Sequence, residues 1–245
     1  MAATALADPA TLRGLALANR ILAQHGVVDA FGHVSVRHPA EPGHYLISRS
    51  LGPERVTEAD LQRFTLDGQQ VGGHPGPAYA ERAIHGAIYA ARPDVLAVCH
   101  NHSPSVIPFG VTGVALRPIY HMAGLLGTEV PVWDAQDEFG DTDMLVRTLE
   151  QGASLARTLG GRRVALMRGH GSVVASGDLR EVVIAAVYME ANARLQLQAL
   201  ALGPVRYLTD GEIERTGGWW SSALARERAW NTWAARTSLA DAPGS

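Results

Sequence analysis

Cysteine is nearly missing from this chain: Cys99 is the single one in 245 residues. No disulfide framework is available, which fits a reducing cytoplasm. Long apolar runs are missing too, and no stretch reaches the roughly 18 uncharged apolar residues of a membrane span. The opening Met1-Ala-Ala-Thr-Ala-Leu-Ala-Asp8 lacks the basic region of a secretion signal, so a soluble, cytoplasmic protein is expected. Basic runs are absent: 21 basic residues are scattered among 24 acidic ones, a formal net charge of −3. That excludes an extended nucleic-acid footprint. No GxGxxG follows a strand and no Walker loop occurs, so the common phosphate cradles are excluded as well. Without repeats or linkers, one domain over 1–245 is expected, with its core at about 10–205 and a docking tail at 206–237.

What is present is a run of moderate strands and helices. Apolar spacing predicts a helix over Thr11–Gln24. Phe31–Arg37 and His44–Ser48 read as a hairpin, and Asp67-Gly68 marks a second, tighter one. A helix is expected from about Tyr79 to Ala91, where Pro93 closes it. Further strands are expected at Val95–His100, Val114–Leu116, Thr128–Trp133 and Val164–Met167. Tyr120–Leu126 reads as a short helix, Asp143–Leu159 as a longer one, and Asp178 starts a helix reaching Leu202. That last helix is apolar on most sides, which points to deep burial or a subunit contact. The tail carries Trp219, Trp220, Trp230 and Trp233, aromatic surface that needs something to dock on; beyond Thr237 disorder is expected. Two hairpins without a strict βαβ rhythm predict an α/β fold: a mixed, largely antiparallel sheet with helices on both faces.

The chain is organised around Val95-Leu-Ala-Val-Cys-His-Asn-His102. Residues two apart on a strand share a face, so His100 and His102 point together while Cys99 and Asn101 point away. Two imidazoles side by side at a strand end suit a divalent metal. Glu81 and His85 lie four apart on or beside the apolar stripe of their helix, where a carboxylate is costly unless it meets a cation or shares a proton. By spacing alone Glu81 reads equally well as a first-turn residue favoured by the helix dipole. Gly169-His170-Gly171 lets the backbone turn tightly and bring an imidazole close to something else.

Glu81, then Ile84-His-Gly-Ala-Ile-Tyr-Ala-Ala-Arg-Pro-Asp-Val-Leu-Ala-Val-Cys-His-Asn-His102, then Gly169-His-Gly171, together resemble the class II aldolase/adducin family over roughly residues 10–205. Gly32-His-Val-Ser-Val-Arg37 resembles that family's GNxSxR segment. The resemblance implies an α/β/α sandwich, a homotetramer, and one divalent ion per subunit (Zn²⁺, Mn²⁺, Co²⁺ or Fe²⁺) on His100, His102 and His170. It makes Glu81 the acid/base or an occasional fourth ligand. Three neutral imidazoles with open positions are also what a catalytic, rather than a structural, site needs.

The departures bear on substrate. His33 stands where the family's sugar-phosphate aldolases have Asn, and Pro77-Ala-Tyr-Ala80 replaces their Ser-Ser pair, so the donors for a phosphate are gone. Ser48-Arg-Ser50 supplies a guanidinium suited to a carboxylate. Together with Ile107-Pro-Phe and Arg117-Pro-Ile-Tyr-His121, these changes resemble the decarboxylase branch. That branch acts on hydroxylated aromatic or heteroaromatic dicarboxylates and on carboxy-hydroxymuconic semialdehydes of aromatic catabolism. The expected small-molecule partner is therefore a carboxylate. Arg49, Ser50, His33 and His121 are its expected contacts; Glu81 is the proton donor, with His33 and Tyr120 assisting. The rivals are an aldolase for an unphosphorylated hydroxy-oxo acid, a ferrous oxygenase, and a non-enzymatic adducin-like module.

Overall fold

Strand alternation decides how the layers assemble. The computed structural model describes residues 6–237; the expectation of disorder after Thr237 falls outside them. Eight strands form one sheet: β1 (His33–Arg37), β2 (His44–Ser48), β3 (Leu61–Thr65), β4 (Gln70–Gly73), β5 (Ala97–Asn101), β6 (Val132–Trp133), β7 (Val164–Met167) and β8 (Gly171–Ser176). Their spatial order is β4-β3-β2-β1-β5-β8-β7-β6. Every neighbouring pair is antiparallel except β6–β7. The helices are α1 (Pro9–Gln24), α2 (Arg82–Ala91), α3 (Ile107–Val111), α4 (Ala135–Phe139), α5 (Leu149–Leu159), α6 (Leu179–Leu202), α7 (Asp210–Trp219) and α8 (Ala223–Arg236).

Alternate residues of the central strands feed two separate cores. Val34, Val36, Leu46, Ala97, Cys99 and Val174 pack with α1, α6 and α8. Tyr45, Ile47, Val98, Val173 and Ala175 pack with α2 and α5 on the other face. The result is the expected α/β/α sandwich. His33, Ser35 and His100 have the parity of the second set, so the sheet presents them to α2.

Three elements differ from the sequence reading. Val114–Leu116 is not a strand, because its stretch of backbone is claimed by side-chain amides of α6. Gln196 donates to the Ala115 carbonyl and accepts from Arg117 N–H, and Asn192 treats Arg117 and Ile119 in the same way. Thr128–Trp133 pairs only over its last two residues. The helix expected from Asp143 starts at Leu149, where Thr148 and Gln151 close a capping box. The freed segment runs irregularly through Met144 (φ 66°) and spends the Val146 amide on Glu81.

The tail docks on the body. Trp220, Trp230 and Trp233 are buried in the α1/α6 core, and Trp220 Nε1 donates to the Met122 carbonyl. Each buried indole contributes at most roughly 4–6 kcal/mol by area. Trp219 stays half exposed. The outer half of α6 also leaves Leu195, Leu197, Leu200 and Leu202 exposed. No helix among the described residues is long and apolar enough to cross a membrane.

Candidate metal centre and substrate cavity

The site forms where β5 ends and β8 begins. Antiparallel pairing sets His100 opposite Val173 on β8 and opposite His33 on β1. The turn before β8 then carries His170 back to the His-x-His pair. It is tight because Gly169 adopts φ +63° and because a Cβ on Gly171 would lie 2.1 Å from the Asn101 carbonyl oxygen. From the helical layer, Glu81 sits at the N-cap of α2, yet its carboxylate caps nothing and turns inward.

Four groups converge here: Glu81, His100, His102 and His170, with ligand atoms all within 4.8 Å of one another. His102 Nε2 lies 3.1 Å from His100 Nε2 and 3.1 Å from His170 Nε2. Glu81 Oε2 is 3.6 Å from both His100 Nε2 and His170 Nε2. A tetrahedral ion with bonds of about 2.0–2.1 Å holds its ligand atoms about 3.3 Å apart, so the set has the right span. His100 Nδ1 is 3.1 Å from the Ser172 carbonyl, a partner that takes an N–H and turns the Nε2 lone pair inward. Ring nitrogens gathered this closely around one point are well placed to share a cation. The donor set fits a divalent metal.

The electrostatics agree. Burial, reinforced by His100, pushes His102 and His170 down to about 4, so both rings are neutral ligands at physiological pH. For Glu81, burial acts upward, but the neighbouring His100 and His170 and the Val146 amide (3.0 Å) win and hold it at about 2. It is a carboxylate in the resting site.

Beside the cluster opens a cavity of about 410 Å³ lined by His33, Ser50, Tyr79, Glu81, His102 and Leu145, with Phe31 exposed at its rim. That is the size range of a small organic ligand. The structure brings His33, Ser50 and Glu81 together with the histidine triad. It does not bring Arg49, Tyr120 or His121. Arg49 Nε is committed to Asp60 at 2.8 Å, and among the described residues no arginine or lysine lines this cavity. Tyr120 packs among residues of the α1/α6 core, and His121 is exposed at the start of the 3₁₀ turn His121–Leu126.

Two polar rows stand behind the cavity; the sequence reading paired Glu81 with His85 and named His33, but missed Ser35 and Tyr89. Glu81, His85 and Tyr89 recur every fourth residue of one α2 face, and His33 and Ser35 alternate on β1. His85 meets His33 at 2.6 Å and Ser35 at 2.6 Å. Burial pushes His85 down to about 3 and His33 well down, so neither ring is charged. The periodicities were visible; that the two rows face each other was not.

Residues 13–197 match the model of the Class II Aldolase and Adducin N-terminal domain family. The chain is 37% identical over 204 residues to the decarboxylase tropJ of Talaromyces stipitatus, covering 78% of this chain and 77% of that protein. It is 32% identical over 247 residues to the 3,4-dihydroxyphthalate decarboxylase of Arthrobacter keyseri, covering 92% and 93%. Among solved structures, an aldolase II superfamily protein from Pseudomonas syringae superposes with a TM-score of 0.81 at 22% identity, over 98% of this chain and 96% of that one, a likeness of fold. With its histidine triad, its Glu81 and these relatives, the chain belongs to the class II aldolase/adducin family, in the branch that resembles its decarboxylases.

Proposed function

We propose that this protein is a divalent-metal-dependent decarboxylase. Its substrate is a hydroxylated aromatic or heteroaromatic dicarboxylate, or a ring-cleavage carboxy-hydroxymuconic semialdehyde. The observation that carries the reading is the convergence of three imidazole Nε2 atoms and an ionised Glu81 on the wall of a small cavity. The relatives named as decarboxylases choose the reaction class, and the missing phosphate donors before Glu81 point the same way.

His100, His102 and His170 would hold the ion, which would supply an electron sink for the charge left when the carbon–carbon bond breaks. Glu81, a carboxylate at rest, takes the proton of the substrate hydroxyl and returns it to the ring carbon. The C–CO₂ bond breaks, its electron pair stays on that carbon, and the new C–H bond consumes the proton. Ser50 and His33, on the cavity wall, hold the carboxylate. Arg49 acts one step back: its side chain and backbone N–H both bind Asp60, which steadies the loop carrying Ser50. Tyr120 and His121 lie outside the cavity and are given no part in it. The exposed leucines of α6 support self-association into a homotetramer.

The test is CO₂ release from hydroxyphthalates, pyridine dicarboxylates and carboxy-hydroxymuconic semialdehydes, using metal-free protein with Mn²⁺, Zn²⁺, Co²⁺ or Fe²⁺ restored. Metal-dependent CO₂ with a product short of one carboxylate is expected. Pyruvate or an aldehyde from hydroxy-oxo acids, with no CO₂, would replace the decarboxylase by an aldolase; strict O₂ consumption with iron would replace it by an oxygenase.

A further inference from the structure

With Arg49 tied to Asp60, the side chains left to meet an anionic substrate in this cavity, beside an ion on the triad, are neutral donors. His33 is one of them, and its support is unusually complete. Its Nδ1 lies 2.6 Å from His85 Nε2; His85 Nδ1 lies 2.6 Å from Ser35 Oγ; Ser35 Oγ lies 2.8 Å from the Tyr89 hydroxyl. Of these four residues the most exposed, His33, is only 3% accessible. Nδ1 is occupied, so Nε2 is the nitrogen His33 has left for the cavity it lines.

A chain of single protons can run in two directions. In one, Tyr89 donates to Ser35, Ser35 donates to His85 Nδ1, and His85 Nε2–H donates to His33 Nδ1. Every hydrogen within the row then has an acceptor, and His33 carries its own proton on Nε2, facing the cavity. In the other, each bond reverses: His33 donates to His85, His85 to Ser35, and Ser35 to Tyr89. The phenolic hydrogen is then left over in the core: Ser35 is the one side chain that the Tyr89 hydroxyl bonds among the described residues, and the Val98 backbone group beside it is a donor to the phenol oxygen, not an acceptor. A buried donor without an acceptor disfavours that direction by about tenfold or more.

We infer that His85, Ser35 and Tyr89 are positioning residues that lock His33 in its Nε2–H tautomer, so that this imidazole meets the substrate as a neutral hydrogen-bond donor to a carboxylate oxygen and not as a base. The choice of carboxylate rests on the decarboxylase reading; the lock itself does not. It assigns the division of labour in the cavity. Glu81, ionised, handles the proton, while His33, wired from behind, recognises the anion.

The tautomer is read directly by long-range ¹H–¹⁵N correlation on ¹⁵N-histidine-labelled protein, metal-free and Zn²⁺-loaded, without substrate. Protons on Nε2 of both His33 and His85 are expected. A proton on His33 Nδ1 would overturn the lock. In kinetics, His85→Leu is expected to raise KM for the dicarboxylate by about tenfold or more and to change kcat by less than about threefold. His85→Gln, which keeps a donor aimed at His33, is expected to recover most of that loss. A fall in kcat at unchanged KM in both variants would overturn the recognition role. Should His85→Leu not fold, the wild-type spectrum and His85→Gln still decide. A protein that decarboxylates nothing in the panel, yet shows His33 Nε2–H, overturns the reaction and leaves the lock standing. An active decarboxylase with His33 Nδ1–H does the reverse.

Discussion

The two ends of the central strands treat charge in opposite ways. At the end where β8 finishes, a pocket gathers Arg92, Asp94, Glu129, Arg162, Arg163 and Glu181. There each charge has a partner: Arg92 with Asp94 at 2.6 Å, Arg162 with Glu129 at 2.6 Å, and Glu181 with Arg226 at 2.7 Å and Arg163 at 3.6 Å. At the end where β8 begins, three imidazoles and one carboxylate crowd together with no arginine or lysine among them. Paired charges on a surface are satisfied and ask for nothing more. Lone pairs aimed at one point in the interior are donors that a cation would satisfy. More charge is packed at the first end, and more chemistry is available at the second.

The largest effect that sharpens this contrast is expected from His102→Ala. Losing the imidazole that touches both others should abolish stoichiometric metal binding, measured by metal analysis after dialysis, and activity with it. Activity that survives without bound metal would remove the basis for calling this end the functional one. Next comes Glu81→Gln, which keeps shape and the Val146 contact but cannot carry the proton. It should retain metal and lower kcat by about 10²–10⁴-fold. An unchanged kcat would move the proton transfer to another group.

Acid separates the ends more gently. His102 and His170 sit at about 4, below the ordinary 6.5 of an imidazole. Their contribution to stability is complete above about 6.5. It is lost as pH falls toward 4, because the unfolded chain takes up protons first. Glu81, at about 2 against an ordinary 4.5, extends the loss from about 4.5 downward. A thermal melt of the metal-free protein across this range should show Tm falling from pH 6.5 to 4; a flat Tm would contradict the assigned protonation states. The smallest effect belongs to the paired end. Arg162→Ala breaks a solvent-exposed pair and should cost about 0–1 kcal/mol in chemical denaturation, with kcat and KM unchanged.

Much of this was legible in the sequence because the decisive signals are periodic or local. Residues two apart on a strand share a face wherever the strand goes, so His100 and His102 had to point together. Layering followed from hairpins and amphipathic helices. What was not legible depended on partners far along the chain. Arg49 was read as free for substrate because nothing in its loop announces Asp60 as its partner. The strand expected at Val114–Leu116 has the composition of one, but the Gln196 amide of α6, some 80 residues later, takes the Ala115 carbonyl and the Arg117 N–H. The His85–Ser35–Tyr89 row needed β1 to be laid against α2 before its members could be seen as one chain. Local chemistry can be read from a string of residues; a hydrogen bond between distant ones has to be seen.

The turn at Gly169–Gly171 has a consequence for the protein as material. His170 reaches the other two histidines only if β8 lies against β5 in the observed register, His100 opposite Val173. A slip of one residue would turn β8 over and carry its histidine out of reach. Tight metal uptake is therefore a count of correctly threaded molecules. The fraction of a purified batch that takes up one equivalent is a quality assay that needs no substrate, and titrating metal during refolding would time the moment at which the middle of the sheet closes.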